Sequence, residues 1–355
     1  MNFIVFSLIA FVCVVVLIPL AIKFAPILKL VDAPDGPDGR KQHEGQIPLI
    51  GGLIIFPVFI GVAIAAGYSI SDYWPLYGAI FMLLVTGAVD DKIHLHSMVK
   101  FFVQFCAAAL IILPGGAQVF QLGDLFGLGH MGLDIMSLPF SFAAVVLLIN
   151  AVNLMDGLDG LSAGYCAVAM SWLGLGFYHG GYQAEFLMVG LLVSCMVGFL
   201  VFNMRTPFRA KASLFLGDAG SLCLGVCLAW FALHAGKDYM NPAVEPIGVA
   251  WVLAIPIMDT CAQFYRRVRN GRHPFSPDRG HFHHHFVNAG VPDGWATATI
   301  LALAFVTGAV GVFGMSLGVS PAIITISWMI LLLWHIWYSA VPDRYIGVIS
   351  RLVKT

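Results

Sequence analysis

The sequence predicts an all-α polytopic membrane protein of about eleven transmembrane helices, with its N-terminus on the outer face and its C-terminus inside. Three observations predict this. Of 355 residues, 59% are hydrophobic and only 10% charged, whereas a soluble domain carries roughly 25% charged residues. Apolar runs of ~18 residues or more recur from end to end, each long enough to cross ~30 Å of hydrocarbon. The basic residues are segregated: of 18 Lys and Arg, all but Lys237 fall in one alternate set of loops. Positive charge stays on the cytoplasmic side, which places N outside and C inside and requires an odd number of spans.

The expected helices lie at about 2–22, 48–68, 76–90, 97–114, 136–152, 159–178, 184–203, 213–235, 246–265, 294–315 and 320–340. Segment 23–31 either continues the first helix or lies along the interface. The first run lacks a basic leader and a small-residue cleavage site, so it reads as a retained helix. No soluble domain fits between the runs, so residues 1–355 read as one integral membrane domain. Its active-site loops are expected at about 23–47, 91–97, 150–160, 204–213 and 266–293. The seven cysteines sit almost entirely inside apolar runs without paired spacing, which predicts small core hydrophobes rather than a disulfide or metal framework. The net charge is −1, so any electrostatic argument rests on where the charges sit; no nucleic-acid partner is expected.

Ionisable groups at membrane depth are costly, so carboxylates recurring at cytoplasmic helix ends need a reason. The first cluster is Gly87-Ala-Val-Asp90-Asp91-Lys92. Adjacent carboxylates persist best beside a cation or by sharing a proton, though a solvated helix end would also look like this. The second is Asn150-Ala-Val-Asn153-Leu-Met-Asp156-Gly157-Leu-Asp159-Gly160-Leu161. Its polar residues recur every three positions, which a regular helix cannot hold on one face, so a break near Gly157 and Gly160 is expected. Two carboxamides and two carboxylates can bind a hard metal, a sugar or a nucleotide edge.

The third cluster is Phe215-Leu-Gly-Asp218-Ala-Gly-Ser221. Asp218 is an isolated carboxylate that suits Mg²⁺ or a helix cap. The fourth is His273-Pro-Phe-Ser-Pro-Asp278-Arg279-Gly-His281-Phe-His283-His284-His285. Arginine and histidine suit phosphate oxygens here; zinc is the rival ligand. Arg40-Lys41-Gln-His43 with Ile47-Pro48-Leu-Ile-Gly51-Gly52 adds a basic loop on the same side. Asp259, inside the ninth run, is either structural or functional. No GxxxxGK[ST] phosphate loop is present, so ATP hydrolysis is not indicated. Together these features point to a polyanionic substrate, a divalent metal and a reaction at the inner membrane surface. A secondary transporter is the rival, but its carboxylates would sit near the midplane and no internal repeat is visible.

Asp90-Asp91, the run from Asn150 to Leu161, Phe215 to Ser221 and the His281 to His284 loop resemble, in order and spacing, the polyprenyl-phosphate N-acetylhexosamine-1-phosphate transferase family. The resemblance covers nearly the whole chain. Ser276 to His284 is similar to the branch that uses UDP-GlcNAc and undecaprenyl phosphate. The branch that handles UDP-MurNAc-pentapeptide shows an Asp-Asp-x-x-Lys pattern, and His94 stands here in place of that lysine.

The resemblance implies a bacterial inner-membrane enzyme with a cytoplasmic active site that initiates cell-surface glycan synthesis. The O-antigen of lipopolysaccharide is one such glycan. It implies Mg²⁺ as cofactor, with Mn²⁺ able to substitute. Asp218 would hold the metal, Asn153 and Asp156 would hold the nucleotide or the metal, and Asn150 would bind substrate. Phe215 would stack on uracil. Asp90, Asp91, Asp156 and Asp159 would serve the chemistry. Lys100 would meet the acceptor phosphate, and Arg279, His281, His283 and His284 would clamp the diphosphate. Neither the exact sugar nor the downstream glycan is set by these residues, and a homodimer is compatible with them.

Overall fold

The computed structural model of the protein describes residues 3–32, 45–238, 240–273 and 280–354, with side chains given through residue 351. Arg40, Lys41, His43, Asp278 and Arg279 therefore lie outside the described residues. Every predicted apolar run is helical. The elements are α1 (Phe3–Leu28), β1 (Val31–Asp32), β2 (Ile47–Pro48), α2 (Gly51–Ala65), α3 (Ile70–Ile93), α4 (Ser97–Ile112), α5 (Ser137–Met155), α6 (Leu161–Gly180) and α7 (Gln183–Asn203). They continue with α8 (Gly217–Ala235), α9 (Pro246–Val252), α10 (Ala254–Arg269), α11 (Phe282–Asn288), α12 (Asp293–Phe313), α13 (Pro321–Ser339) and α14 (Pro342–Lys354).

Seven of these helices are long and apolar enough to cross a membrane, or up to eight if the bent pair α9–α10 is one span. The protein is thus an all-α, multi-pass membrane protein. Helix α8 is its centre: α2, α3, α5 and α6 pack around it, and residues 222–232 along it are all buried. A helix apolar on every side must be enclosed, and α8 is.

Three elements differ from expectation. The run 246–265 is not one helix but two, bent by 76°, with Leu253 at the break. Residues 282–288 form a helix inside a segment expected to be loop. The chain after α13 forms α14, a helix too rich in polar residues for an apolar-run reading. The expected loop 150–160 is helical up to Met155 and turns only between there and Leu161, which is the break that the spacing of polar residues demands. Segment 23–31 continues α1 as far as Leu28. All seven cysteines are free.

Candidate active site

The end of α3, the start of α4, the end of α5 and the start of α8 meet at one end of the bundle. Glycine makes the first contact possible: a Cβ at Gly87 would sit 2.3 Å from the backbone nitrogen of Ala219, so α3 and α8 touch backbone to backbone. One turn further, the Asp91 carboxylate accepts N–H groups from Asp218 (2.9 Å) and Ala219 (3.3 Å). The first N–H groups of a helix have no internal partner, and Leu216 at the cap position offers no side chain to them. Asp91 therefore caps α8 from another helix. Gly217 completes the fit, with φ +74° and with Asp91 Oδ2 2.7 Å from where its Cβ would be.

The cap delivers Asp218 to its partners. Lys100 Nζ donates to Asp90 Oδ2 (2.7 Å) and to Asp218 Oδ2 (3.4 Å). Asn153 Nδ2 donates to Asp218 Oδ1 and to Ser221 Oγ, both at 2.9 Å. Asp90 is 5% exposed, and its Oδ1 accepts the N–H of Leu95 at 2.6 Å. Four residues from four helices thus converge, with one ammonium between two carboxylates.

Asp156 lies at the turn after α5 and is exposed. The protein packed near it and the charges of Asp218, Asp91 and Asp159 raise its carboxyl above the ordinary carboxylate range. A neighbouring cation would reverse that shift.

The other expected residues are placed differently. Asn150 exchanges amide hydrogen bonds with Gln104 (3.3 and 2.7 Å) and fastens α5 to α4. Asp159 faces Arg205 (2.6 Å), which also reaches Asp293 (2.9 Å); this clasp ties the turn before α6 to the chain after α7 and the start of α12. Phe215 is half-buried. Its N–H donates to the Pro48 carbonyl (2.8 Å), and its own carbonyl accepts from Gly51 (3.1 Å). The 47–52 segment, which follows the basic residues Arg40 to His43 in sequence, braces Phe215 through its backbone.

The histidines enter on α11. His281 pairs with Asp259 at 2.9 Å and stacks parallel to His283, centroids 6.0 Å apart and planes within 8°. The His283 ring lies against Gly157, where a Cβ would be 2.4 Å from Nε2. This contact brings the histidine helix to the turn that carries Asp156. Burial pushes His283 down to about 3, and nearby His284 adds to the effect, so this ring is neutral. His284 is half-buried. His285 is 1% exposed and stacks on Tyr345 (5.0 Å, 22°) as a packing residue.

Sequence reasoning passed over Gln104, Arg205 and Asp293. Gln104 had a visible signal, since an amide one turn beyond Lys100 inside an apolar run needs a partner. Arg205 and Asp293 had none, because their link to Asp159 is purely tertiary.

The donor set suits Mg²⁺: hard oxygens from Asp90, Asp156 and Asp218, and a carboxamide from Asn153. Among the described residues, no three His, Cys, Asp or Glu side chains converge closely enough to hold a metal by themselves. Mg²⁺ does not need them, since it commonly takes one or two carboxylates and shares the rest of its shell with water and substrate phosphates. The Lys100 ammonium between Asp90 and Asp218 shows that this pair accommodates a cation.

Residues 73–236, which contain the first three clusters, match the model of glycosyl transferase family 4. The chain is 31% identical over 300 residues to an undecaprenyl-phosphate alpha-N-acetylglucosaminyl 1-phosphate transferase of Yersinia pestis, covering 84% of this chain and 80% of the relative. It is 30% identical to the enzymes of the same name from Escherichia coli K12 (81% of this chain, 77% of the relative) and Haemophilus influenzae (82% of each). The chain belongs to glycosyl transferase family 4, the membrane-embedded polyprenyl-phosphate N-acetylhexosamine-1-phosphate transferases.

Proposed function

We propose that the protein transfers GlcNAc-1-phosphate from UDP-GlcNAc to undecaprenyl phosphate. An oxygen of the lipid phosphate attacks the β-phosphorus of the donor. The bond from that phosphorus to the bridging oxygen breaks, and UMP leaves with the bridging oxygen. The product is a lipid-linked sugar diphosphate. The carrying observation is the Lys100 ammonium held between Asp90 and Asp218, with Asn153 on the far side of Asp218, in a chain of this family.

Reaction between two anions calls for positioning and charge neutralisation above all. Lys100 supplies a cation for the acceptor phosphate. Asp90, tied to Lys100 and to the Leu95 N–H, sets where that ammonium stands. Asp91 orients Asp218 through the α8 backbone and does not itself face substrate. Asn153 fixes the Asp218 rotamer. A lipid phosphate with a second pKa near ~6, as in phosphoserine, is largely ionised at neutral pH, so a strong base is not required. Mg²⁺, held by Asp218 with Asp156, would neutralise the diphosphate and polarise its phosphorus. His281 at the cap of α11 and His283 and His284 on it, with Arg279 in the preceding segment, would line the donor side, and Phe215 would meet the uracil. Asp159 holds the turn through Arg205.

The same reading orients the protein. Eleven spans, counting α9–α10 as one, put the N-terminus in the periplasm, and the C-terminus and the carboxylate end in the cytoplasm of a bacterial inner membrane. The charge segregation of the loops supports this, as does the gathering of helix ends around Asp218. Nucleotide sugar is made in the cytoplasm, so the site faces its donor.

The test is UMP release by purified protein in detergent with undecaprenyl phosphate, UDP-GlcNAc and Mg²⁺. Lipid-dependent, chelator-sensitive UMP is expected. No UMP from UDP-GlcNAc, but UMP from UDP-GalNAc, would reassign the donor. No UMP from any UDP-N-acetylhexosamine, nor from UDP-MurNAc-pentapeptide, would overturn the reaction.

A further inference from the structure

Asp259 belongs to none of the four motifs, yet it is 4% exposed and carries a complete set of partners. Its Oδ2 faces His281 Nδ1 at 2.9 Å. Its Oδ1 accepts the backbone N–H of Phe282 (3.0 Å) and Gln263 Nε2 (3.2 Å). Gln263 Nε2 also donates to the carbonyl of Gly280. Arg266 donates to the same carbonyl (3.2 Å) and to Gln263 Oε1. Asp259, Gln263 and Arg266 stand at i, i+4 and i+7, so one face of α10 holds all three. That face grips the three residues where the histidine helix begins. Gly280 fits it alone: a Cβ there would fall within 2 Å of the Arg266 guanidinium.

A buried carboxylate costs several kcal/mol unless paired, and a plain anchor for a helix start would need only the Phe282 N–H. The second oxygen is spent on one nitrogen of one histidine. An acceptor at Nδ1 fixes that nitrogen as N–H and leaves Nε2, across the ring, as the nitrogen available to a ligand. His281 in turn lies parallel to His283, which touches Gly157 beside Asp156.

We propose that Asp259 is a positioning residue of the transfer reaction: it holds His281 as the Nδ1–H form and presents Nε2 to the diphosphate of the sugar nucleotide. When the donor binds, Nε2 takes a proton from solvent and donates it in a hydrogen bond to a phosphate oxygen, while Asp259 stays ionised and balances the ring. This rests on the transfer reaction proposed above.

An Asp259→Asn variant tests it sharply. Two donors, Phe282 N–H and Gln263, hold the amide oxygen on their side, so the NH₂ turns toward His281. Nδ1 must then accept, and the ring is forced to the Nε2–H form. With ¹⁵N-labelled histidine, the resonance absent from His281→Gln should report Nδ1–H in the wild type and Nε2–H in D259N. Turnover per folded D259N molecule should show kcat/KM for the donor lower by roughly ten- to a hundredfold, with the KM for undecaprenyl phosphate unchanged. The double variant D259N/H281Q should be no worse than about the poorer single one.

A purely structural Asp259 would lower the melting temperature, leave kcat/KM per folded molecule intact and add to H281Q; that pattern overturns the proposal. Should D259N fail to fold, the wild-type resonance still decides, since an Nε2–H signal from His281 overturns it. If the wild type releases no UMP at all, the reaction fails while the tautomer readout remains, so the two failures are distinguishable.

Discussion

Asp91 Oδ1 lies 2.9 Å from the backbone nitrogen of Asp218, so one of the paired carboxylates on α3 is the cap of the helix that carries the third. Asp91→Ala should cost about 0.5–2 kcal/mol of stability, as loss of a cap does. It should also lower UMP release, because the first turn of α8 then frays and Asp218 loses its place beside Lys100. Thermal unfolding and turnover of the same detergent sample would check both. A variant as stable and as active as wild type would remove the capping role.

Lys100 stands between Asp90 and Asp218 at 2.7 and 3.4 Å. Lys100→Met should reduce turnover by about 100-fold or more, the scale for losing one preorganised charged contact. It should also leave two carboxylates without their cation, so added Mg²⁺ should raise the melting temperature of this variant more than that of wild type. An equal Mg²⁺ response in both would show that the ammonium and the metal occupy unrelated places. Lys100→Arg should not restore activity, since a planar fork does not replace a point charge.

Arg205 joins Asp159 to Asp293. Arg205→Ala strands a largely buried carboxylate and should cost about 1–3 kcal/mol, with turnover per folded molecule close to wild type. Asp159→Asn should behave alike. Loss of turnover in D159N at an unchanged melting temperature would move Asp159 from the clasp into the chemistry.

His285 gives the pH dependence. Burial pushes its pKa down to about 4, below the 6.5 of an unfolded chain. The unfolded state therefore binds the proton first, and stability falls as pH drops through 6.5 toward 4. At pH 5 the loss through this residue is about 2 kcal/mol relative to pH 7.5. Neither ring nitrogen has a hydrogen-bond partner among the described residues, so His285→Leu forfeits none of these. Its melting temperature should match wild type at pH 7.5 and exceed it at pH 5. An unchanged acid sensitivity would place the effect elsewhere, His283 being the next buried imidazole.

What the sequence made legible, and what it hid, follow from the kind of contact involved. Apolarity alone located every long helix, because hydrocarbon length and composition decide which segments can be spans. Motif spacing picked out Asp90, Asn153 and Asp218, and the loop charge pattern drew in Lys100. The break at Leu253 was hidden, since Val252, Leu253 and Ala254 continue the apolar run on both sides of it. The role of Asp91 was hidden too, because its partners are backbone N–H groups far along the chain and carry no residue signature. Asn150 looked like a substrate ligand for the same reason that it is paired: an amide among apolar residues needs a partner, and Gln104 is that partner. α14 escaped notice because its packing residue, Tyr345, works through His335 (2.8 Å) and the face of His285, not through apolar length.

The seam between Gly157 and His283 binds two distant codons into one unit of inheritance. With a Cβ at 157 only 2.4 Å from the imidazole, a lineage that acquires alanine there must move or shrink the ring at 283. A substitution at 157 thus always engages the ring at 283. Divergence among such chains should therefore run freely along the outer helix faces and move in couples across this seam.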